Sequence, residues 1–189
     1  MNKQDLIKLI EDFNFDKKIE LNDIPELDLY MDQVIQLFES ELGELKRNKE
    51  DKILSKTMIN NYAKAKLLMS IKNKKYSKEH LILMSLIYDL KGTLSISDIK
   101  LVLDTIVQKF ENEEEYDLRG LYNNYLDKCK IDSSKFKEDI KQRINDITDK
   151  GLGDFEQKFL LVASVISISN MYRRIGEMMI DEFFSGDDK

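Results

Sequence analysis

Apolar side chains recur every three or four positions along most of the chain, and the interruptions between runs mark off a series of helices. Leu6, Leu9, Ile10 and Phe13 form a short amphipathic segment that breaks near residues 22–25, where Pro25 stands. Leu29, Val34, Leu37, Phe38 and Leu42 predict a helix ending near Gly43. The charged stretch 44–51 reads as a loop or as a helical extension. Ser55 is placed to cap a helix over 56–65, its hydroxyl accepting an orphan N–H of the first turn. Ser77 opens the next helix, with Leu81, Met84, Ile87 and Tyr88 leading to Gly92, and Ser95 or Ser97 caps one that turns Ile99, Val102, Leu103 and Ile106 inward.

An acidic patch at 111–115 marks the expected domain boundary. Beyond it Leu118, Leu121, Tyr122, Tyr125 and Cys129 share one helical face, and Phe136, Ile140, Ile144 and Ile147 share another. Residues 151–154 stop that helix, and Asp154 is expected to cap a long last one. There Leu161, Val165, Ile168, Tyr172, Ile175 and Met179 are spaced like a coiled-coil seam. Phe155, Phe159, Val162 and Ile166 add a second apolar face. A helix with two apolar faces wants partners on both, so the seam is read as the homodimer contact and the second face as packing against its own chain.

Composition narrows the class. A chain of 189 residues, 42% hydrophobic, with one Pro and seven Gly, is long enough to bury a core and is expected to be mainly helical. The single Cys excludes an intrachain disulfide framework and points to a reducing, cytoplasmic setting. The strongest apolar run, 159–168, is about half of what a bilayer span needs and reads as a buried helix, and no apolar core of signal-peptide length precedes Pro25, so no membrane partner is expected.

The net charge of −6 hides a local excess of the opposite sign. Residues 46–80 hold eleven Lys and Arg against three acids, a net of +8, which leaves −14 for the rest. A basic island in an acidic chain suits an anionic polymer. In the helix after Ser55, Ile59, Tyr62 and Ala63 share the apolar face, with the Tyr62 hydroxyl expected near a phosphate; Thr57, Asn60, Asn61 and Lys64 crowd the opposite face. Those side chains suit base edges and phosphate oxygens. Residues 71–76 then form a short basic turn, with a small hairpin expected around Asn73 and Tyr76 anchoring its base.

Residues 55–68, Ser-Lys-Thr-Met-Ile-Asn-Asn-Tyr-Ala-Lys-Ala-Lys-Leu-Leu, resemble the recognition helix and following turn of the MerR-type winged helix-turn-helix regulators. Lys74-Lys75-Tyr76-Ser77-Lys78-Glu79-His80-Leu81 resembles that family's wing and next helix, and residues 92–99 resemble its closing Gly and Leu-x-x-x-x-Ile pattern. The chain departs from the pattern at Asn60 and Asn61, where an Arg and a Tyr are usual, and at Met69-Ser70, where a Pro usually follows the double Leu. Ile24-Pro25, Leu29-Tyr30-Met31-Asp32, residues 57–62 and Lys74-Lys75-Tyr76 more closely resemble a bacterial family of unknown function whose members are read as MerR-like regulators. The resemblance spans about residues 24–104.

The expectation is a mostly α protein: an N-terminal helical segment at 1–24, a winged helix-turn-helix with a small β wing at 25–110, and a C-terminal helical bundle at 111–189 for dimerisation and, in one reading, for a small-molecule effector. The expected function is sequence-specific binding of double-stranded DNA by a homodimeric transcriptional regulator. Lys56, Thr57, Asn60, Asn61, Lys64, Lys72, Lys74, Lys75 and Tyr76 are the expected DNA contacts, and Leu161, Val165, Ile168, Tyr172, Ile175 and Met179 the dimer contacts. A rival reading makes the winged scaffold a protein-interaction module with an acidic partner. No enzyme, metal or cofactor is expected, because the chain has one His, one Cys and no Gly-rich phosphate loop. Met171, Met178 and Met179 are alternatively the lining of an effector pocket or bundle filler.

Overall fold

The computed structural model describes residues 3–148 and 151–185. Positions 1, 2, 149, 150 and 186–189, which belong to the expected first and last segments, lie outside the described residues. The protein is mostly helical with one small two-stranded sheet, and the chain divides into two compact units. The larger holds Lys17–Leu126 and the chain from Glu177 onward; the smaller holds the chain up to Asp16 and Asp127–Gly176.

In the larger unit, β1 (Leu29–Tyr30) runs directly into α2 (Met31–Leu42), then a 3-10 turn (Gly43–Leu45), α3 (Lys56–Lys64), β2 (Lys75–Tyr76), α4 (Lys78–Leu90) and α5 (Ile96–Glu111). Leu29, expected to begin a helix, is instead a strand residue paired antiparallel with Tyr76. α2 ends at Gly43 as expected, and the φ of −58° there lets the chain continue into the 3-10 turn. Nine of the thirteen residues of α4 are buried, six of them apolar, so this helix forms the centre about which the others pack. Each buried Leu or Ile there contributes about 1.5–3 kcal/mol. Lys78 lies among them with its amine on Glu26 at 2.8 Å, which holds the Glu26 carboxyl below the usual carboxylate range.

Ser95 caps α5, its hydroxyl accepting the N–H of Asp98 at 3.1 Å, and Ile99, Leu103, Ile106 and Val107 face the core. The acidic stretch after α5 is a turn, with Glu113 at a φ of 58°. The core continues beyond it, because α6 (Leu118–Thr148) begins with Leu118, Tyr122 and Leu126 buried in the same cluster. The Tyr122 hydroxyl donates to the Ile19 carbonyl at 2.7 Å. Asp89 accepts from Lys18 and from the Tyr125 hydroxyl, both at 2.8 Å.

The smaller unit combines α1 (Lys3–Asp12), the rest of α6 and α7 (Asp154–Phe184) as far as Gly176. The Phe15 ring is tilted against Phe13 at 4.6 Å and T-shaped to Phe136 at 4.9 Å, Lys141 bridges to Glu11 at 2.9 Å, and Ile140, Ile144 and Ile147 are buried. Gly151 turns the chain between α6 and α7 at a φ of +68°, a conformation that suits a residue without Cβ. Asp154 is the first helical residue of α7 and not its cap; the Gly153 carbonyl accepts the first helical hydrogen bond, from Gln157 at 3.1 Å.

Candidate nucleic-acid interface

Ser55 sets the start of α3 as expected, its hydroxyl accepting the Met58 N–H at 3.3 Å. The buried arc of this helix runs through Ile59 and Tyr62, with Met58 half-buried. Ala63, expected on that arc, is exposed, since it lies beyond Ile59 on the side away from Tyr62. Thr57, Asn60, Asn61 and Lys64 are all exposed on the outward side, a row of hydrogen-bonding groups ending in a cation. The Tyr62 hydroxyl is buried and has no hydrogen-bond partner among the described residues, so it does not reach the surface where the sequence reading set it against a phosphate; burial pushes the phenol above its ordinary pKa.

Behind α3 the chain makes the hairpin expected around Asn73. Lys72 and Lys75 form an antiparallel bridge, with the Lys75 N–H donating to the Lys72 carbonyl at 3.0 Å. The two residues between them, Asn73 and Lys74, have φ values of 54° and 59°, the signature of a type I′ turn. That turn lifts Lys72, Asn73 and Lys74 into solvent. Lys75 is half-buried, its amine 5.2 Å from the centre of the Tyr30 ring. Tyr76 is 3% exposed and packs edge-on against His80, so it anchors the hairpin and is withdrawn from any ligand.

His80 is the residue whose role the sequence left open. It occupies the third position of α4, where Nδ1 accepts the Ser77 N–H at 3.1 Å and Nε2 meets the Met69 carbonyl at 3.2 Å. The ring thus caps the helix and ties it to the turn before the hairpin.

The basic island is partly neutralised by acids that precede it in the chain. Lys56 pairs with Asp32 at 2.8 Å, Lys78 with Glu26, and Lys46 with Glu39. Arg47, Lys49, Lys52, Lys64, Lys66, Lys72 and Lys74 are exposed and have no ion-pair partner among the described residues. The open cations therefore lie in the loop before α3, at its C-terminal end and on the hairpin, flanking the polar face of the helix in the sequence on both sides.

In α7 the expected dimer residues divide. Leu161, Val165 and Ile168 are half-buried, whereas Tyr172, Ile175 and Met179 are 76%, 51% and 50% exposed. The second face, expected to pack within the chain, is open: Phe155, Phe159, Val162 and Ile166 are among the most exposed apolar residues. The expectation that this second face packs within the chain is thus not met. Met171, Met178 and Met179 are exposed and line neither of two clefts in the larger unit, of about 270 and 610 Å³. Among the described residues no three His, Cys, Asp or Glu side chains converge to hold a metal ion, and no helix is long and apolar enough to cross a membrane.

No curated protein and no solved structure matches the chain. Residues 19–125, more than half of the chain and most of its larger unit, match the family model described as a domain of unknown function, DUF1836, and the chain belongs to that family.

Proposed function

We propose that the protein is a sequence-specific DNA-binding transcriptional regulator that works as a homodimer, with the segment from β1 to α4 serving as a MerR-like winged helix-turn-helix. The observation that carries this reading is the outward face of α3, where Thr57, Asn60, Asn61 and Lys64 are exposed together while the opposite face is sealed into the core. In this reading α3 enters the major groove and Asn60 and Asn61 reach base edges, an Asn amide being able to bond adenine in two places. The hairpin is the wing: Lys72 and Lys74 lie against the flanking phosphates, and their charge supplies affinity without sequence information. Lys56 joins them when a phosphate displaces Asp32. The protein performs no catalysis in this reading.

Selection of fragments from a random duplex pool with the purified full chain tests the proposal. The expected result is one enriched motif arranged as an inverted repeat. Equal retention of all duplexes, or none, overturns it; binding to an acidic protein in place of duplex would convert the same basic face into a protein-docking surface.

A further inference from the structure

The part of α7 that belongs to the smaller unit carries an apolar stripe that the unit does not use. Phe155 (74% exposed), Phe159 (60%), Val162 (66%) and Ile166 (57%) stand within an arc of about 60° at 100° per residue. The rings of Phe155 and Phe159 are stacked in the open, 6.4 Å apart. The side that the unit does use is a different one, through the half-buried Leu161, Val165 and Ile168.

We propose that the stripe from Phe155 to Ile166 is where a second copy of this chain docks, with the two α7 helices antiparallel. This rests on the pairing element of the reading above and not on its DNA element. Two arguments select a second copy. The first is area. Since one aromatic side chain buries about 150–250 Å², the four residues at these exposures offer roughly 450 Å² of apolar surface. A standard interface takes about 800 Å² per partner, a little over half of it apolar, or again roughly 450 Å².

The second argument is charge. Glu156 in the first turn of α7 and Arg174, two turns past the stripe, stand on the same flank of it, whereas Asp154 is held by Lys158 at 2.6 Å. With a two-fold axis beside Ser164, Val162 meets the partner's Ile166 and Glu156 comes beside the partner's Arg174. Parallel helices would instead set each Glu156 against its copy and each Arg174 against its own. The antiparallel arrangement also opposes the helix dipoles favourably.

Sedimentation of the full chain at micromolar concentration, with helix content followed by circular dichroism, tests the proposal. The wild-type chain is expected to be a dimer, and Val162→Glu is expected to weaken self-association at least tenfold with helix content kept. Ile168→Glu should lose helix content, because that side chain packs inside its own unit. Arg174→Glu should also weaken the dimer, and adding Glu156→Arg to that variant should restore it. A wild-type monomer, a dimer that survives Val162→Glu, or failure of the double charge reversal to restore association overturns the proposal. A dimer that passes these tests yet binds no duplex would sink the DNA reading and leave this interface standing.

Discussion

The backbone N–H of Ser77 donates to Nδ1 of His80 across 3.1 Å, so the ring must keep that nitrogen unprotonated to cap α4. Burial pushes the His80 pKa below its ordinary 6.5, against the raising pull of the Met69 carbonyl and of Glu79, Asp28 and Glu111. With the folded pKa depressed, the unfolded chain binds the extra proton first, and the stability present above pH 6.5 is lost as pH falls through the folded value. Urea unfolding midpoints between pH 7 and pH 5 should therefore decline. Since the chain has one His, His80→Gln should flatten that slope while costing about 1 kcal/mol at pH 7 for the weakened cap.

Two buried tyrosines should respond oppositely to loss of the hydroxyl. Tyr62→Phe removes a buried group with no partner among the described residues and is expected to leave stability unchanged or raise it by up to about 1 kcal/mol. Tyr122→Phe removes the bond to the Ile19 carbonyl and should cost about 1 kcal/mol. Chemical denaturation of the two variants in parallel reads the difference. Duplex affinity should not change in Tyr62→Phe, because its hydroxyl faces the core.

At the hairpin, stability and binding should move apart. Lys74 holds a φ of 59°, which costs a side-chain-bearing residue roughly 1–2 kcal/mol and costs glycine little. Lys74→Gly is expected to raise stability by up to about 1 kcal/mol and to create the Asn-Gly pair that type I′ turns favour. The same change removes an open cation, so duplex affinity should fall. A thermal melt and a binding isotherm on one preparation check both halves.

In the proposed reading, Asp32 competes with DNA for Lys56. The pair is exposed and contributes little to folding, but it places a negative charge beside the proposed phosphate path. Asp32→Asn should leave the melting temperature within a degree or two and tighten duplex binding several-fold at low salt, with a steeper salt dependence. Anisotropy titrations at two salt concentrations measure this.

The parts of the fold that were legible are those governed by neighbouring residues. Ser55 and Ser95 cap the helices they precede, α7 spans the residues that its apolar period marks, and the outward face of α3 follows from angle alone. Pairings between distant segments were not legible. Leu29 carries the apolar spacing of α2, and only its partner Tyr76, far along the chain, makes it a strand. The sequence left His80 open between capping, packing and no special role, because its cap depends on where the Met69 carbonyl and Ser77 fall around it; its place three residues after Ser77 was the available signal. In α7 both stripes are apolar, and sequence does not say which one is left exposed. The Lys56 charge was counted as open because the acid that neutralises it sits on another helix.

The account rests on α3 reading bases while the hairpin holds phosphates, and one set of titrations separates those roles: Asn60→Ala and Lys74→Ala against the selected duplex and a scrambled one over a range of salt. Asn60→Ala is expected to lose about 1–3 kcal/mol on the selected duplex only, with its salt slope unchanged. Lys74→Ala should weaken both duplexes alike and flatten the slope by about one unit. Loss of discrimination in Lys74→Ala with none in Asn60→Ala would contradict the account.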